Sequence, residues 1–352
     1  MRNKAGTVIN CIFIAVVIAA IVIMSFIFRD DGTESVQRYD LTVLEADREI
    51  SALYARDGLV YVGTDKGVII YDADNFAPVD RIEDLSLIYS AGIAGTDDGS
   101  IFIGHEKGLT RIGPDGTRTD YMAPDIPKGR VNTVVYDGEY IWCGTYNGAA
   151  RLKRTTGGDW AADKVMTADD GLKCDSVNVI LPLGDDLLIG SYLDNRNGGL
   201  TLLYSDGRTE YIGKEQGLPH PYVTSAALTA GDEVLVGCGY MSDGGLAVLK
   251  KSGDSYMIRS TYYKDDGLPG EKVRAVFTGG NIAIITTESD GVVAIKLNSG
   301  AFLEPEFSSG IYINEENGLS SNEVKCIIKA GNNYWLGTKY GLTLVPAEYI
   351  ER

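Results

Sequence analysis

Two histidines, His105 and His220, are all the imidazole in this 352-residue chain, and they lie far apart in the sequence. Acid–base catalysis or a zinc site draws on imidazole, thiolate and carboxylate groups at fixed short spacings. No His-Glu-x-x-His, Cys-x-x-Cys or Gly-x-Ser-x-Gly occurs. His105, next to Glu106, reads as a surface turn residue. The Asp-rich pieces Asp72-Ala-Asp74-Asn75, Asp97-Asp98 and Asp169-Asp170 lack the twelve-residue loop that calcium requires and read as hairpin turns. Gly237-Cys-Gly239 begins like a dinucleotide fingerprint, but Ser242 stands where a third glycine belongs and no helix follows. These residues imply no catalytic group, no metal and no cofactor; the expected protein is not an enzyme.

What remains is chemistry for binding. Tyr192, Asp194, Asn195 and Arg196 form one dense cluster, and Tyr240, Met241 and Asp243 a second, with His220 and Tyr222 between them. Aromatic faces beside amide, carboxylate and guanidinium groups suit a saccharide or a peptide segment.

The elements that position these clusters repeat. Seven times a short apolar strand runs into a small-residue corner, a few polar residues and a glycine opening a second strand. Tyr61-Val-Gly-Thr-Asp-Lys-Gly-Val, Ile141-Trp-Cys-Gly-Thr-Tyr-Asn-Gly-Ala and Tyr334-Trp-Leu-Gly-Thr-Lys-Tyr-Gly-Leu are three of the copies. Corners fall at Gly63, Gly104, Gly144, Gly190, Gly237, Thr286 and Gly337, spaced by 40 to 51 residues, a period typical of propeller blades. An alternating strand after a Gly-Leu-x-x-x-x-Val phrase precedes each later corner, and a weaker, more polar strand closes each unit. The corner glycines are expected to let neighbouring units approach closely. Four corners reach the next glycine in four residues, blade 6 in five, but blade 4 takes nine (190 to 199) and blade 5 eight (237 to 245). Both binding clusters lie in these long connections, and long loops on a rigid scaffold are where binding tends to sit.

The last unit lacks a fourth strand, whereas Val36–Val43 reads as an orphan strand before the first. Pairing the two closes a ring. The expected fold is all-β, a seven-bladed propeller over 36–346 whose last blade takes its outer strand from the N-terminal side, with a tail at 347–352.

The phrase Gly318-Leu-Ser-Ser-Asn-Glu-Val-Lys-Cys-Ile-Ile, with the corner that follows it, resembles the two-component-regulator propeller repeat. Gly267-Leu-Pro-Gly-Glu-Lys-Val, Gly217-Leu-Pro-His-Pro-Tyr-Val and Gly171-Leu-Lys-Cys-Asp-Ser-Val repeat it. The resemblance implies an extracytoplasmic ligand-binding sensor propeller. Blade 2, from Gly108 to Tyr121, is similar to a repeat of streptogramin lyases, but neither His105 nor His220 has that family's surrounding motif. Thr286, in place of the corner glycine, departs from the repeat.

Before the repeats lies Thr7–Phe28, an uncharged run of 22 residues, long enough to span a bilayer. Arg2 and Lys4 precede it, so residues 1–6 are expected in the cytoplasm, 7–28 in the membrane as an uncleaved anchor, and 29–35 as an exterior linker. After Arg29 the chain carries 29 basic and 49 acidic residues, which excludes nucleic acid as a partner. The four exterior cysteines, Cys143, Cys174, Cys238 and Cys326, read mostly as small buried hydrophobes, with Cys143 and Cys174 the pair to check for a disulfide. The expected function is a membrane-anchored sensory module, periplasmic or at the cell surface, that signals through a separate membrane partner. The alternative is an envelope or surface assembly scaffold, and a lyase-type enzyme comes third.

Overall fold

A computed structural model describes residues 38–85, 92–194, 197–302, 305 and 307–352. The expected anchor, its flanks, Val36 and Gln37 lie outside the described residues, as do Asn195 and Arg196. No helix among the described residues is long and apolar enough to cross a membrane.

Seven four-stranded antiparallel sheets follow one another along the chain. Blades 1 to 6 span 50–82, 93–121, 131–166, 177–212, 223–262 and 273–313; blade 7 spans 324–346 and takes its fourth strand from Thr42–Leu44. In blades 1 to 6 the strands run in sequence order from the inside out, and in blade 7 the first three do. Each innermost strand packs on those of both neighbouring blades, and the last packs on the first, so the array is a closed ring.

Closure is as expected in kind but shorter in extent. Thr42, Val43 and Leu44 pair with Leu344, Thr343 and Leu342. Tyr39 is not in the strand: its N–H donates to the Asn317 carbonyl at 3.0 Å, holding the chain against the preceding linker. The expected tail is instead a short helix, Ala347–Glu351, with Ala347 and Ile350 buried and Tyr349 5.4 Å from the Tyr39 ring. Both ends of the propeller are therefore fastened at one seam.

The corner residues do the packing work read from the sequence. A Cβ on Gly144 would sit 2.5 Å from Val177 Cγ1, and one on Gly190 2.5 Å from Val223 Cγ1. Gly104, Gly144, Gly190 and Gly237 thus press on the valine that opens the next blade, and Gly337 on Ile50. The Thr after the glycine locks the hairpin: Thr145 Oγ1 donates to the Gly148 carbonyl at 3.0 Å, and Thr338 Oγ1 to Gly341 at 2.9 Å. The Gly-Leu linkers also have a physical role. A single 3-10 turn ends in left-handed Gly171, Gly217 or Gly267, and the following Leu172, Leu218 or Leu268 is buried.

Candidate functional site

Strand directions put the linkers between blades and the connections from second to third strand on one face. Backbone hydrogen bonds tie them together, as from Tyr192 N–H to Ser176 and from Gly239 N–H to Tyr222, both at 2.9 Å. This is the face that carries both sequence clusters.

Blade 4 does have a long connection, and Asp194 braces it: its Oδ1 accepts from the Asn197 N–H at 2.8 Å. Blade 5 differs from expectation. Its ladder continues past the corner through Cys238–Gly245 and Gly239–Gly244 to Tyr240–Asp243, leaving a turn of only two residues. Cys238 stands where Thr64, Thr145, Ser191, Thr287 and Thr338 close their hairpins with a hydroxyl. The extended hairpin is a projecting two-stranded finger with Met241 at its tip, 70% exposed.

Five of the expected residues converge beside this finger. The Tyr222 ring lies 4.9 Å from Tyr192, 4.8 Å from His220 and 5.4 Å from Tyr240. His220 Nδ1 accepts the Tyr222 N–H at 3.0 Å, so the imidazole proton sits on Nε2, 3.9 Å from Asp243 Oδ2. Burial holds the His220 pKa below the usual value, against the opposing pull of Asp243. Tyr222 is buried and Tyr240 exposed, so the cluster forms a ledge with one open aromatic face. Met241 is at the tip rather than in the cluster, and Asp194 supports its own loop.

His105 is not the surface residue expected. It is buried in blade 2, where Nε2 lies 3.0 Å from Thr110 Oγ1, which in turn lies 2.5 Å from Asp120 Oδ1. It occupies the position after the corner that Thr holds in blades 1, 3, 6 and 7. His105 is thus in blade 2 and His220 in the linker before blade 5, with separate structural partners. The Asp-rich pieces bind their own backbone: Asp72 Oδ1 accepts from Asp74 and Asn75 N–H, each at 3.0 Å. Asp169 and Asp170 are in a 3-10 turn, not a hairpin, and Asp170 Oδ2 accepts from Thr167. Among the described residues no group of three or more metal-ligating side chains is gathered. Cys143, Cys174, Cys238 and Cys326 are free thiols; burial pushes Cys143, Cys238 and Cys326 up to about 12.

Next to the ledge, the half of the central channel nearest the linkers holds a cavity of about 400 Å³. All seven innermost strands line it, and Tyr192 borders both ledge and cavity. In blade 1 and blades 3 to 7 the position after the first hydrophobic residue of the inner strand is a β-bulge, and there the side chain faces the channel. Asn132, Asn178 and Thr224 occupy it in blades 3 to 5 and donate to the next blade's carbonyls at Val177, Val223 and Val273. In blades 6 and 7 it holds Arg274 and Lys325. Sequence reasoning passed over these cations, although their place directly after the repeated valine was visible.

No protein-family model and no curated protein matches the chain. Solved structures do. The fold is similar to the extracellular domain of a protein named as a hybrid two-component system, BT4673 of B. thetaiotaomicron, at 19% identity over 88% of this chain and 39% of that one, TM-score 0.65. It is similar to a catalytically inactive virginiamycin B lyase from Staphylococcus aureus with quinupristin, at 14% identity over 87% of this chain and 98% of that one, TM-score 0.63. It is also similar to PorZ, an essential surface component of the type-IX secretion system of Porphyromonas gingivalis, at 16% identity over 85% and 46% of the two chains, TM-score 0.61. Both resemblances read from the sequence, to sensor propellers and to streptogramin lyases, therefore return as likeness of fold. The chain spans about 40% of the length of the sensor domains it matches.

Proposed function

We propose that this propeller is the extracytoplasmic ligand-binding module of a sensory system, held at the membrane by residues 7–28 and signalling through a separate membrane partner. The observation that carries this reading is the ledge: Tyr192, His220, Tyr222, Tyr240 and Asp243 come from two blades and a linker and meet on one face beside the channel. An open aromatic ring with polar groups at its edge suits the apolar face and hydroxyls of a saccharide, or a peptide side chain. Likeness to sensor extracellular domains supports the reading by analogy of fold. The test is a binding screen of the full-length chain in detergent against neutral oligosaccharides and short peptides, repeated with Tyr240→Ala. A ligand whose affinity drops at least roughly tenfold in that variant supports the ledge as the site. Full affinity in a folded Tyr240→Ala protein places the site elsewhere.

One observation favours a second reading, a surface assembly scaffold. Met241 projects on a finger that the blade framework does not need, and exposed apolar tips suit protein docking. A photo-crosslinker at Met241 that captures one stoichiometric envelope protein in cells, with no ligand found in the screen, would favour the scaffold.

A further inference from the structure

The channel cavity has the opposite charge character to the rest of the molecule. The chain's formal charge is −17, yet the charged side chains lining the cavity are Arg130, Arg274 and Lys325, and among the described residues no carboxylate lines it. Two of the three are well partnered. Lys325 Nζ lies 2.7 Å from Glu49 and 3.1 Å from Glu323, and Arg130 Nε donates to Asn132 Oδ1 at 3.0 Å with Glu106 3.5 Å away. Arg274 is not. Its side chain is 17% exposed, its carboxylate neighbour Glu323 is 3.9 Å away, and among the described residues its guanidinium donates no hydrogen bond. Glu323 is also shared with Lys325 and Lys339.

A guanidinium has five N–H donors, and those of Arg274 face the cavity and its solvent. Blade 6 shows how the position was freed. In blades 3 to 5 the residue at this bulge bonds the next blade's carbonyl, but in blade 6 Thr286 makes that bond, to Val324 at 3.0 Å. A hydroxyl at the corner and an arginine at the bulge thus depart from the repeat together. The structural bond moves off the channel and a cation with open donors is left on it. The planar fork of arginine matches the two oxygens of a carboxylate or phosphate, and the cavity volume is within the range of small-ligand sites.

We propose that the channel cavity binds a small organic oxyanion whose charged end is taken by Arg274, with Arg130, Lys325 and Tyr192 around it. The site goes beyond the ledge and does not depend on it. The test is calorimetric titration of the full-length chain in detergent, at constant ionic strength, with glucuronate, glucose 6-phosphate, inorganic phosphate and glucose. At least one oxyanion binds at one per chain and glucose does not. Arg274→Gln weakens that binding by roughly tenfold or more, as loss of a charge-assisted fork should. Arg208→Gln, on the opposite face, leaves it unchanged. Because Arg274 donates no hydrogen bond among the described residues, Arg274→Gln keeps the parent's melting temperature; Arg274→Lys, which keeps the charge without the fork, binds more weakly than the parent and serves if the glutamine variant does not fold. Glucuronate binding alone assigns a carboxylate ligand, and binding of the two phosphates alone a phosphate. Failure of every oxyanion to bind, or unchanged affinity in both folded Arg274 variants, overturns the proposal. A neutral saccharide or peptide that still binds the ledge in that case leaves the proposed function standing.

Discussion

Thr286 Oγ1 lies 3.0 Å from the carbonyl of Val324, joining the sixth blade to the inner strand of the seventh. The same oxygen accepts the Ala275 N–H at 2.9 Å. Where other blades leave a space for their neighbour's valine, this one fills it with a bonded hydroxyl.

Removing the hydroxyl should therefore cost more than a typical surface change. Thr286→Ala leaves a buried N–H and a buried carbonyl without this partner, a loss on the order of 1–3 kcal/mol. Gly144→Ala should cost a similar amount for the opposite reason, since its new Cβ meets Val177 Cγ1 at 2.5 Å and the core must shift. Denaturant melts measure both. Equal stability of either variant and the parent would contradict this account of the corner.

The seam is the second place where the fold is vulnerable. Deleting residues 36–44 removes the strand paired with Gly341–Pro346 and the Tyr39 contacts, leaving an unpaired edge. A large drop in melting temperature or aggregation is expected in scanning calorimetry with light scattering. A deletion variant that melts with the parent would show that the ring does not need its closing strand.

The ring itself was legible in the sequence because its signals are local and repeated: period-2 strands, a small corner and a glycine, seven times over. What escaped needed neighbours to be seen. The blade 5 finger was hidden by Gly239, Gly244 and Gly245, which weaken a strand pattern although their backbones pair. Cys238, where five blades carry a hairpin-closing hydroxyl, stands out only once that hydroxyl's role is known. Ala347–Glu351 is too short for helical periodicity to register, and it is held by packing of Ile350. Five of the nine residues named from the sequence as binding candidates lie together at the ledge, whereas Met241 is at the finger's tip and Asp194 serves its own loop. Arg274 looked like any strand charge until the inner end of the blade was located.

The membrane orientation is open to a direct check. A membrane-impermeant maleimide should label a cysteine placed at Ser35 in intact cells and miss one placed at Asn3. Background from native thiols should be low, because Cys143, Cys174 and Cys238 are buried and burial raises their pKa above the usual thiol value. Labelling at Asn3 but not Ser35 would reverse the topology expected from the sequence.

The two histidines give the fold a pH dependence of definite sign. Burial lowers the pKa of both His105 and His220 from 6.5, so the folded protein resists protonating them while the unfolded chain accepts the protons. Where the unfolded state binds more protons, stability falls as pH falls. Their contribution is therefore complete above the unfolded value and is lost as pH drops from 6.5 toward the folded values. Carboxylates act in a different window. Asp163 and Asp186 are held below 3.8, Asp163 by hydrogen bonds from Lys153 and Arg151, and Asp186 by bonds from Ser205 and Lys251 that outweigh its burial. Their contribution is lost only as pH falls below 3.8. Melting temperature should decline between pH 7 and pH 5, and decline again below pH 4. The double variant His105→Gln, His220→Gln should lose the first decline and keep the second. If it retains the first decline unchanged, protonation of these two imidazoles is not its source.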